Sequence, residues 1–78
     1  MYVYRLGDYC IILIRTTPAQ VNGAWATMDH YVVVHIIEDQ PPMEVLVPEG
    51  EDPTRRTLEL LMRRAEEEEQ EHPGEDVP

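Results

Sequence analysis

Along the first residues apolar and polar side chains alternate. Tyr2, Tyr4 and Leu6 fall on one side of an extended segment and Val3 and Arg5 on the other, which predicts a short strand. Gly7-Asp8 then supplies a two-residue turn with glycine where φ must be positive, so residues 9–15 should return antiparallel as the second strand of a hairpin. That strand is apolar almost throughout, the pattern of a strand covered on both faces or paired in mid-sheet. β-Branched side chains fill five of the seven positions 31–37, predicting a third strand that the run Glu38-Asp39-Gln40-Pro41-Pro42 ends. A fourth, shorter strand follows over 43–47. Between the second and third strands, Thr17-Pro18 has the form of a helix cap and Asn22-Gly23 that of a turn. The expectation for 16–29 is a loop with a short helical turn. Trp25, in this connection, should pack over the sheet or else face a partner.

From Asp52 the period changes. Asp52 can cap a helix with Pro53 at its first position, and Leu58, Leu61, Met62 and Ala65 then stand at i, i+3, i+4 and i+7. The helix should run from 53 to about 70 and bury that stripe. The fold class is therefore α+β: a small, mostly antiparallel four-stranded sheet with one C-terminal amphipathic helix packed on it, the other face wet or covered by a partner. Residues 1–71 are expected to form a single compact domain and 72–78 a flexible acidic tail.

Charge changes the picture most. Sixteen acidic residues stand against six arginines and no lysine, a formal charge of -10, and since Asp8 and Asp29 balance Arg5 and Arg15, all of it lies from Glu38 onward. A chain so charged is a poor ligand for nucleic acid or anionic lipid, and a basic partner is the natural inference. The acids form three clusters: Glu38 with Asp39, then Glu49, Glu51 and Asp52, then Glu66, Glu67, Glu68 and Glu69 followed by Glu71. Five acids within positions 66–71 span about 9 Å of helix, near the charge density of duplex DNA. They stand at the negative end of the helix dipole, with pairs Glu59–Arg63, Arg63–Glu67 and Arg64–Glu68 expected to offset part of the cost. The bland reading of such a run is a solvated helix end. Two features favour a partner: three clusters share one half of the chain, and the other half holds more aromatics than one helix can cover, leaving some for a binding patch or dimer contact.

Catalytic chemistry finds little to work with. Serine is absent, and Cys10 stands in an apolar strand where a thiol behaves as a small hydrophobe. His30 and His35 are an odd number of residues apart, so a regular strand points them to opposite faces and they cannot share a metal ion. They read as solvated or edge histidines. No catalytic residue, metal site or cofactor is expected. A lone cysteine fits a reducing cytosol, and the apolar runs are far shorter than the roughly 20 residues of a membrane helix.

In general character, the small acidic chain with unpaired cysteine, no catalytic set and one helix on a small sheet resembles the phage-encoded anti-CRISPR proteins, in particular inhibitors of type I (Cascade) systems, among them those of type I-C. The resemblance implies a protein of the host bacterial cytosol that occupies the basic surface used by target DNA and cuts nothing. On the residues, the candidate partner-binding set is Glu38, Asp39, Glu49, Glu51, Asp52, Glu66, Glu67, Glu68, Glu69 and Trp25, in a monomer or weak homodimer. The alternative is a phage assembly or antitoxin-like module whose acidity only provides solubility.

Overall fold

A computed structural model of the chain describes residues 3–71, in which β1 (Val3–Leu6), β2 (Tyr9–Val21), β3 (Ala24–His35) and β4 (Met43–Pro48) precede a single helix, α1 (Thr54–Glu71). The four strands form one antiparallel sheet in the order β1-β2-β3-β4. The α+β class and its elements are thus as the pattern predicts. The expected tail over 72–78 lies outside the described residues.

The first hairpin closes at Gly7-Asp8 with Leu6 opposite Tyr9, and Gly7 takes the positive φ (59°) that such a turn requires. Alternation then sorts the sheet into two faces. Tyr4, Leu6, Tyr9, Ile11, Leu13, Tyr31, Val33, Met43, Val45 and Val47 share one face, and Leu60 of α1 packs against them to form the core. The rings of Tyr4 and Tyr31 meet edge to face with centroids 5.9 Å apart. Burial, with the nearby Tyr4 and the Asp29 charge, pushes the Tyr31 phenol up to about 12, so it stays neutral inside the core.

The stretch 16–29 is neither loop nor helix. β2 and β3 continue past the ends of β1 and β4, with pairs from Pro18–Thr27 to Val21–Ala24, and form a two-stranded arm. Asn22 (φ 53°) and Gly23 (φ 83°) make its tip, two successive left-handed residues that match the twist of a two-residue hairpin. A bulge between Leu13 and Arg15 shifts the register at its base. Trp25 lies near the tip, 71% exposed, and does not pack on the sheet as expected. The Thr27 carbonyl accepts from the Glu49 N–H at 3.1 Å. Thr27 therefore points its backbone toward the β4 side, its pair with Pro18 carries no ladder bond, and the Pro18 nitrogen faces the outer edge of β2.

The helix also differs from its expected orientation. Thr57 is fully buried, Leu60, Leu61 and Arg64 are partly buried, and Leu58 (48%) and Met62 (58%) are exposed along with Ala65. The inward stripe is 53, 57, 60/61, 64, turned by one residue from the most apolar one. β3 also ends earlier than expected, at His35, because its Nδ1 accepts the N–H groups of Ile37 (3.2 Å) and Glu38 (2.7 Å) and turns the chain.

Candidate acidic interface

Glu38 and Asp39 sit in the turn that His35 holds, and the Glu38 carboxylate accepts from Gln40 Nε2 at 2.8 Å. Glu49, Glu51 and Asp52 lie in the connection from β4 to α1, at the opposite end of β4. Asp52 performs its expected capping: Oδ1 accepts the Thr54 N–H at 2.8 Å, and hydrogen bonds from Thr54 hold its carboxyl below the ordinary value. Its charge is therefore engaged at the helix start, whereas Glu49 and Glu51 are exposed.

The helix leads away from this second cluster and antiparallel to β4. By Arg64 it has reached the other end of the sheet, where Nη2 donates to the Pro41 carbonyl at 3.4 Å. Residues beyond Arg64 therefore overhang the sheet on the side of Glu38 and Asp39. Glu66, Glu67, Glu68 and Glu69 are all exposed there. The expected pairs Glu59–Arg63, Arg63–Glu67 and Arg64–Glu68 do not form. Glu59 instead meets Arg55 (3.7 Å) and Arg56 (3.3 Å), while Arg64 is turned to Pro41, so among the described residues the glutamate run has no ion pair.

The acids thus occupy two poles, Glu38, Asp39 and Glu66 to Glu69 at one and Glu49, Glu51 and Asp52 at the other, about 20 Å apart by the helical rise. Four consecutive glutamates at about 100° per residue surround most of the helix circumference. Such an end presents negative charge in nearly every direction, which fits a concave basic socket better than a flat basic strip. An open groove of about 350 Å³ beside the helix start is lined by Leu46, Pro48, Glu51, Asp52, Arg55 and Arg56 among others. Its two signs of charge, with Glu59 tied to both arginines, make it no part of an acidic surface.

His30 and His35 do point to opposite faces, the first beside Glu44 on the sheet face away from α1, the second edge to face with Tyr9 on the helix side at 4.7 Å. His30 is not solvated as expected: it is 7% exposed, flanked in register by Arg15 and Leu46. Among the described residues no three His, Cys, Asp or Glu side chains gather as a metal site would require, and no helix is long and apolar enough to cross a membrane.

Two features escaped the sequence reading. Asp29, buried at the arm base, accepts from Thr16 Oγ1 and from the Gly50 N–H (3.0 Å), joining β2, β3 and the β4–α1 connection. The second is how apolar the sheet face left open by α1 is; that the face would be wet or covered by a partner was expected, and the unbroken apolar runs of β2 and β3 mark it.

Compared with known proteins, the chain matches no family model, no curated protein and no solved structure.

Proposed function

We propose that this is a non-catalytic binding protein whose overhanging acidic helix end, with Glu38 and Asp39 beside it, enters a basic socket on a nucleic-acid-binding partner. The observation that carries the reading is the exposed run Glu66 to Glu69, free of ion pairs beyond the edge of the sheet. Charge at such density steers association toward Lys/Arg-lined surfaces and competes with phosphate for them. Resemblance to anti-CRISPR proteins makes a type I effector complex the first partner to test, with target-DNA binding the step blocked. The test is capture of such complexes by tagged protein, elution along a salt gradient, and competition with target DNA. Salt-sensitive capture that excludes DNA and disappears when Glu66 to Glu69 become Gln supports the reading. Capture that is insensitive to those four substitutions, or that leaves DNA bound, rejects it.

The exposed arm favours a second reading, an assembly module that grips its partner through Trp25. Trp25→Ala would then abolish capture while the Gln variant retained it.

A further inference from the structure

We infer that the sheet face opposite α1 is a homodimer interface, in which two copies stack face to face. Alternation places Val3, Arg5, Cys10, Ile12, Val32, Val34, Glu44 and Leu46 on that face, and Val3 (54%) and Leu46 (50%) are exposed in the single chain. The strands that build its centre, 10–14 and 31–34, are apolar on both sides, the pattern of strands with a layer above and a layer below. In the described residues α1 supplies only one of those layers.

Charge selects a second copy as the occupant. A chain of net charge -10 repels itself at either acidic pole, but this face carries Arg5 and Arg15 against Glu44. Among the described surfaces it is the one on which two such molecules meet with the fewest facing carboxylates. A two-fold axis along the strands lays β1 of one copy over β4 of the other, bringing Arg5 toward Glu44 of the second copy. The interior points the same way. His30 Nε2 is buried without a hydrogen-bond partner, and the nearest carboxylate, Glu44 at 3.6 Å, is itself open to solvent; a covering layer would hold Glu44 against the ring. Strand spacing and length, arm included, give the face a footprint of roughly 570 Å², near the low end of the about 600–1,000 Å² per partner of a standard interface. Two sheets so stacked would lie about 10 Å apart.

The test is sedimentation equilibrium of the full chain from low to high micromolar concentration, at low and at molar salt. The expected mass rises with concentration to twice 9.1 kDa and holds at high salt. Val34→Glu with Leu46→Glu should return it to 9.1 kDa with an unchanged circular dichroism spectrum, while Met62→Glu on the outer helix face leaves the doubling intact. Alkylation of Cys10, on the covered face, gives a readout without substitution: its rate should fall as concentration rises. A mass of 9.1 kDa at every concentration overturns the proposal, as it would if residues 72–78 or another protein covered the face instead. Doubling that survives Val34→Glu with Leu46→Glu, or that salt abolishes, overturns it too. The glutamate run is untouched by these variants, so the outcome is independent of partner capture.

Discussion

Asp29 is nearly buried, yet it remains a favourable carboxylate because two donors converge on it, Thr16 Oγ1 and the Gly50 N–H. Those bonds, the Thr16 one first, hold its carboxyl below the ordinary aspartate value of 3.8 against the opposing effect of burial. A group whose folded pKa is depressed contributes stability that is present above its unfolded pKa and is lost as pH falls through the folded one. Asp29→Asn should therefore cost about 1–3 kcal/mol near neutral pH. Urea midpoints of variant and parent should converge as pH drops below 3.8. A gap that stays constant across that range would assign the effect to packing rather than charge. Thr57 stands in contrast: its Oγ1 is buried with no partner, a polar atom retained where only a small side chain lets helix and sheet meet.

At the scale of elements, the helix face gives the clearest test. Leu60→Ala, which removes a side chain from the core, should lower stability by about 1–2 kcal/mol in urea denaturation, less than a fully buried leucine. Met62→Ala, on the solvent side, should stay within about 0.5 kcal/mol. The reverse ranking would mean that the more apolar stripe faces the sheet after all. That stripe misled because counting apolar residues favours Leu58, Leu61, Met62 and Ala65, whereas contact distance favours the smaller Thr57; both stripes share Leu61. The two β-turns, the strands that touch the core and the Asp52 cap were all legible, since each leaves a local chemical mark. The arm was not. Neither face of Pro18–Thr27 lies under the helix, so no period of two is imposed on it, and Thr17-Pro18 carries the signature of a helix start where none occurs. Only Asn22-Gly23 betrayed the hairpin.

Across the whole molecule, the three acidic clusters could be read from composition, but their division between two ends could not, because it depends on the helix running back along β4. The last turn of α1 carries no basic side chain. Changing Glu66 to Glu69 into Gln should therefore raise stability by about 0.5–1 kcal/mol at low salt, since acids there oppose the helix dipole. The gain should shrink as salt shortens the screening length below about 10 Å. Thermal unfolding at two ionic strengths measures both effects, and a loss of stability at low salt would show the glutamates to be structural instead. A long ribbon with free edges also invites other chains to add strands to it, a route to fibrils and unselective clumping. Pro18 guards against this. Its nitrogen faces outward between Thr16 and Gln20 and offers no proton, so an incoming strand meets a gap in the middle of the row. Along that edge the arm is left to recognise by side chains, and a second chain cannot extend an unbroken ladder on β2.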